Sequence, residues 1–255
     1  MKRLMPFLVI GAMLGLLAGC AELFQFNIFD KLDRIKLPDL STLKTEMGTD
    51  EILDLLSEET ESDSFLDALG EDPDKEDEIR TYLDEVASNG SSSDEQKQRA
   101  LAMKGDLTLA MSPAGVFLDN AAALVTDPDF DFSDLEAAAP KLLRIVPAEV
   151  LEDFSAFEGM LEDFSDADEA YEALGGVLGG STPSSEINWG RTAQNALVSY
   201  VVQSLRDQGM SNQELFDAAH GGTVDFSGLT SPFDGVNDTH VTEILDAAGM
   251  GGLLA

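Results

Sequence analysis

"AEVLEDFSAFEGMLEDF", residues 148–164, places apolar side chains at Val150, Phe154, Phe157, Leu161 and Phe164. Their spacings run 4, 3, 4 and 3, the period of one face of an α-helix, whereas a half-buried strand alternates every second residue. Glu152, Asp153, Glu158, Glu162 and Asp163 fall largely on the other side. The stretch predicts a helix over 148–164 with one face buried and the other acidic.

The same pattern extends in both directions. On the C-terminal side, 165–174 reads as a short helix ended by Gly175-Gly176. "LGGVLGGSTPSS", residues 174–185, is the clearest linker and sets a subdomain boundary at 175–186. Thr192 to Gln208 is the most apolar helix, with Ala193, Leu197, Tyr200, Val201 and Leu205 on one face and Val198 and Val202 widening it. Such girth predicts a central position. Ser211-Asn212-Gln213-Glu214 caps another helix, and Thr239 to Ala248 forms the last.

On the N-terminal side the helical pattern starts at Thr49, with Ile52, Leu53, Leu55 and Leu56 among acids. Phe65, Leu66 and Leu69 follow, and Gly70 stops that helix. Asp72-Pro73 is an N-cap followed by proline at the first helical position, and Ile79, Leu83 and Val86 continue to Asn89-Gly90. Ser92-Ser93-Asp94-Glu95 fits a capping box for a helix running to Lys104 and ended by Gly105. Ser112-Pro113 opens the next, and Ser133-Asp134-Leu135-Glu136 is a second box whose helix Pro140 should kink or break. Strand signals are scarce, Thr223-Val224-Asp225-Phe226 being the best. The fold class is therefore all-α, an array of antiparallel helix pairs forming an α-solenoid or an irregular helical bundle of roughly eight to eleven helices.

Two local repetitions were weighed. "LEDFS" occurs at 151–155 and 161–165. Ten residues make about 2.8 turns, so the copies do not share a face and reflect composition. "AYEALG", residues 170–175, resembles a fragment of the tetratricopeptide motif, although Trp189 lies outside any such frame. The mature part is thus similar in general outline to helical, tetratricopeptide-like envelope lipoproteins.

The start of the chain has its own logic. Met1-Lys2-Arg3 is basic, residues 4–17 are apolar, and Ala18-Gly19 precede Cys20, the one cysteine of the chain. That order is a secretory signal, too short for a spanning helix of about 20 residues. A lone thiol builds neither an intramolecular disulfide nor a metal site. Leu17-Ala18-Gly19-Cys20 resembles the lipobox of bacterial lipoproteins. The resemblance implies that residues 1–19 are removed and that Cys20 becomes the lipidated first residue. Acyl chains contribute about 0.8 kcal/mol per buried methylene, enough together to hold a domain on a membrane. Residues 20–48 then form the lipidated cysteine and tether, and 49–255 the helical domain.

Charge narrows the partners. The leader holds two of the 15 Lys+Arg and none of the 49 Asp+Glu, so the mature chain carries −36. Nucleic acid and anionic lipid surfaces both require positive charge, so neither is expected as a partner. Because 44% of residues are hydrophobic, the acids suit the solvated faces of a folded domain rather than a disordered tail. Such a surface fits a saline habitat.

Chemistry-bearing motifs were tested individually. Asp127 to Asp134 alternates carboxylates, but a calcium loop in that register puts Phe132 at the glycine position and Ala138 at the glutamate position. "EDPDKEDE", residues 71–78, fails with Leu83 at the glutamate position. No metal ligands or cofactor are expected. His220 and His240 are the only histidines, and no G-x-S-x-G, H-E-x-x-H, phosphate loop or dinucleotide fingerprint accompanies them. Trp189, Tyr200 and Tyr171 read as core.

These features point to a non-enzymatic protein of the bacterial cell envelope, anchored through lipid at Cys20, that binds or scaffolds an envelope protein partner. A ligand-binding accessory of a solute transport system is the alternative, and an envelope hydrolase comes third. Convergence of Arg191, Arg206 or histidine side chains in a pocket favours the alternative, and a broad apolar groove favours the first. The charge also makes a prediction. Self-repulsion at −36 is screened over roughly 3–10 Å as salt rises. The melting temperature should therefore climb from low to molar salt, with NaCl and KCl equally effective; a flat response refutes it.

Overall fold

A computed structural model describes residues 37–60, 62–125, 139–141, 143–222, 224–226, 229 and 239–251. The described elements are α1 (Leu40–Glu46), α2 (Thr49–Glu59), α3 (Asp63–Gly70), α4 (Pro73–Ser88), α5 (Asp94–Ala110), α6 (Pro113–Val125), α7 (Ala148–Leu151), α8 (Phe154–Leu178), α9 (Trp189–Asp207), α10 (Asn212–Ala219) and α11 (Thr239–Ala247). Among the described residues there is no strand, so the fold class is all-α. Val224 to Phe226, the best strand signal, have no regular structure.

Helix starts follow local hydrogen-bond chemistry. The first turn of a helix leaves backbone N–H groups without partners, and a short polar side chain supplies one. Asp72 accepts from Lys75 N ahead of Pro73, and Asn188 accepts from Arg191 N. Ser211 and Glu214 cap each other's backbone reciprocally. The box expected at Ser92–Glu95 sits one residue later, on Ser93 and Gln96. Asp39 caps α1 by accepting from Ser41 N and Thr42 N, and the Ser41 and Thr42 hydroxyls, with the Thr42 N–H, hold its carboxyl below the usual range. That helix lies inside the range expected as tether, and Leu40 is fully buried, so the folded part begins before residue 49.

Helix ends depart further from expectation. The predicted helix over 148–164 is broken at 152–153, where Asp153 leaves the helix and caps α8 by accepting from Ser155 N. The short helix expected at 165–174 is the continuation of α8, which runs through Gly175-Gly176 to Leu178. Likewise α5 does not stop at Gly105 but reaches Ala110. The 175–186 range is correspondingly not a free linker. Its first residues are helix, and the rest is strapped onto α5 by Gln98, which donates to Ser181 Oγ at 2.7 Å and Thr182 O at 3.1 Å and accepts from Ser184 N at 2.9 Å.

Two apolar cores share one wall. The first gathers Ile52, Leu53, Leu56, Phe65, Leu69, Ile79 and Leu83 from α2, α3 and α4. The second gathers Phe117, Phe157, Leu161, Phe164, Ala193, Val201, Ile244 and Leu245 from α6, α8, α9 and α11. Helix α5 sends Ala100, Met103 and Leu107 into the first and Leu101, Ala102 and Leu109 into the second. The central helix is thus α5 as much as α9, on which Ala193, Val198, Val201, Val202 and Leu205 are buried while Leu197 and Tyr200, expected on the same face, are half-buried. Its largest interface is with α8, which also touches α6, α7, α9, α10 and α11.

Two glycines explain why α5 and α8 continue. A Cβ on Gly105 would lie 2.6 Å from Cε1 and Cζ of the Tyr171 ring, and one on Gly175 would collide with the His240 backbone. Each glycine costs about 1 kcal/mol of helix propensity relative to alanine, yet each admits a neighbour no other residue would. Gly105→Ala and Gly175→Ala should therefore each destabilise by about 2–3 kcal/mol despite the gain in propensity. Phe157, fully buried with its ring 5.3 Å from that of Phe216, should cost about 3–5 kcal/mol on truncation to Ala. Glu172→Ala, at an exposed position of α8, should stay within about 0.5 kcal/mol. Urea denaturation of the four variants checks the ranking, and a neutral Gly105→Ala overturns the close-contact account.

Candidate functional site

The polar group that links the most helices of the second core is Asp106, half-buried on α5. Tyr171 Oη of α8 donates to Oδ1 at 2.7 Å, and Asn195 Nδ2 of α9 donates to the same oxygen at 2.8 Å. Thr192 Oγ1 of α9 donates more weakly to Oδ2 at 3.4 Å. One carboxylate thus joins three helices. Burial raises the Tyr171 phenol well above its ordinary value, and the Asp106 charge beside it adds to the rise. Tyr171 therefore stays a donor at every physiological pH.

Asp106 also forms part of the wall of a cleft of about 70 Å³ between α2, α5 and the start of α9. Arg99 and Arg191 reach this cleft, with Ser57, Thr60 and Thr192 supplying hydroxyls. Arg99 is buried and pairs with Asp54 of α2 at 2.5 Å. Arg191 is half-buried, and among the described residues its guanidinium makes no hydrogen bond or ion pair. It is close enough to Asp119 of α6 to draw that carboxyl down against the stronger upward push of burial. Trp189 begins α9 beside the cleft, its indole N–H donating to Ser184 O at 2.7 Å, so it secures the strap.

The other candidates do not converge here. Arg206, near the far end of α9, donates to Gln203 Oε1 at 3.2 Å and Leu161 O at 3.5 Å. His220 caps α10 with Nδ1 at 3.0 Å from Phe216 O and faces an open acidic depression with Glu214, Asp217 and Asp225. His240 is buried where α11 meets α8, its Nε2 3.9 Å from Asp168 Oδ1 and its ring edge-on to Tyr200. In the 71–78 run Asp72 is a cap, Glu78 pairs with Lys75 and Glu76 with Arg80. Three of its six carboxylates are thus engaged in helix structure. Among the described residues no group of three His, Cys, Asp or Glu is placed to hold a metal. Cys20, the Asp127–Asp134 run and the Ser133 box lie outside the described residues.

The sequence reading missed Asp106, Gln98, Arg99 and Asn195. The available signal was polar residues at positions of α5 and α9 that helical spacing directs inward. No known protein family, curated protein or solved structure matches this chain.

One acid has an unusual setting. Asp163, half-buried on α8, is raised to about 6 by desolvation, against the opposing pull of the Ser112 hydroxyl and Arg80. With the folded value above the unfolded one, its contribution is fully present below about 3.9 and is lost as pH rises through about 6. Asp163→Asn should therefore stabilise the protein by about 1 kcal/mol at pH 7, after allowance for solvent screening. The gain should vanish near pH 3.5. Paired urea titrations at the two pH values test this, and a gain that is equal at both is the failing result.

Proposed function

We propose that this chain is a lipid-anchored, extracytoplasmic helical protein of the bacterial cell envelope that acts by binding rather than by catalysis. The observation that carries the reading is Leu17-Ala18-Gly19-Cys20 at the end of a basic-then-apolar leader, which resembles a lipobox. Among the described residues no helix is long and apolar enough to cross a membrane; the attachment in this reading is lipid at Cys20. A surface at −36 is suited to polar, charge-bearing partners. Val116 is the one large apolar side chain with high exposure among the described residues, so protein partners would be met through polar contacts.

A specific observation supports the second reading, a ligand-binding accessory of a solute transport system. Arg99 and Arg191 enter one cleft with Asp106, which is the kind of convergence that recognition of a small polar solute needs. The two readings share the anchor and differ in what is bound.

The anchor is tested by growing expressing cells with a labelled fatty acid. Wild type should incorporate label and stay with membranes through a salt wash, whereas Cys20→Ser should incorporate none and retain unprocessed leader. Absence of label from wild type, with release by salt, overturns the reading. Crosslinking in intact cells then separates a protein partner from a solute-handling role.

A further inference from the structure

The cleft combines features that select a ligand by charge. Among the described residues its one cation without an ion pair is Arg191, since Arg99 is paired with Asp54. Its carboxylates are the exposed Glu186 and, deeper in, Asp106, whose Oδ1 is saturated by Tyr171 and Asn195 while Oδ2 receives only the long contact from Thr192. A carboxylate offers about four lone-pair sites, so Oδ2 can accept a strong donor. A purely anionic ligand would meet Asp106 within a chain of formal charge −34, and a purely cationic one would meet Arg191. A ligand carrying both charges satisfies each group and adds no net charge.

Size narrows the class. One water occupies about 10–15 Å³ of such a cleft. The 70 Å³ of this cleft therefore has room for about five to seven waters, which restricts it to a small ligand. Ala102, Leu107 and Ile187 supply an apolar wall beside the charged groups, suited to a short apolar side chain.

We infer that this cleft binds a small zwitterion, a free amino acid of the size of glycine or alanine. Its carboxylate lies on the Arg191 fork and its ammonium on Asp106 Oδ2. The inference rests on the ligand-binding reading above and names its solute class. Arg guanidinium recognises carboxylate bidentately, and Tyr171 and Asn195 fix the opposing carboxylate in advance, so little ordering is required on binding.

The test is calorimetric titration of the full chain in detergent with alanine, and separately with acetate and ethylammonium, each of which carries one of the two charges. Alanine should bind saturably, and each half-ligand at least about tenfold more weakly. Arg191→Gln breaks no side-chain bond among the described residues, so it should keep the melting temperature while weakening alanine by at least about tenfold. Ser57→Leu fills the cleft without touching either charge and should abolish binding. No saturable heat by about 10 mM, weaker than a ligand of this size should reach, overturns the inference. So does acetate equalling alanine, or alanine binding unchanged in both variants. Fatty-acid labelling on the same preparations separates the two claims. A labelled chain that ignores alanine defeats the cleft inference alone, and an unlabelled chain that binds alanine defeats the anchor alone.

Discussion

The crossing of α5 and α8 at Gly105, Asp106 and Tyr171 is the constraint from which the remaining architecture follows. The missing side chain at Gly105 lets the Tyr171 ring lie against the α5 backbone, and the ring's hydroxyl then reaches Asp106 at 2.7 Å. Asn195 reaches the same oxygen at 2.8 Å, so α9 is placed by the group that places α8. Such a polar tie at a packed crossing specifies one arrangement, because sliding either helix by a turn would break the bonds of the carboxylate and the phenol. Dispersion and apolar burial stabilise both cores, but they are far less selective about register.

The second consequence concerns α5 as a wall between two cores. A helix buried on both sides would ordinarily be apolar all round, yet α5 carries Gln98, Arg99, Asp106 and Thr108 within its buried length. Each has a partner from another segment: the 181–184 strap, Asp54, the α8–α9 pair and Arg80 respectively. The polar groups act as ties to the segments that surround the wall. They also explain how a cleft bearing opposite charges forms at the seam, where the N-terminal helices, α5 and α9 meet without filling the space.

Acidity shapes the rest of the surface. Cations are scarce, and Lys44, Lys75, Arg80 and Lys104 each pair with a carboxylate on or beside α4. Such exposed or half-exposed pairs contribute little individually, so they relieve repulsion more than they hold the fold. Arg191, like Lys97 and Arg206, is half-buried without such a pair among the described residues, and it lines the cleft that also holds Asp106.

The sequence by itself determined what depends on near neighbours along the chain. Asp72 before Pro73 and Ser211 with Glu214 start helices because the partners they satisfy lie within three residues. The apolar period at 157, 161 and 164 sets a buried face for the same reason. Tertiary structure decided where helices stop and which polar groups meet. "LEDFS" breaks a helix at 151–155, where Asp153 turns to cap, and continues one at 161–165, where Asp163 is half-buried. The five residues are identical, so only their surroundings can choose. Gly105 and Gly175 read locally as helix stops, but Tyr171 and His240, each more than 60 residues away, approach so closely that glycine is required within a continuing helix. Asp106 was illegible in the same way, since its partners at 171, 192 and 195 become neighbours only once the helices have packed.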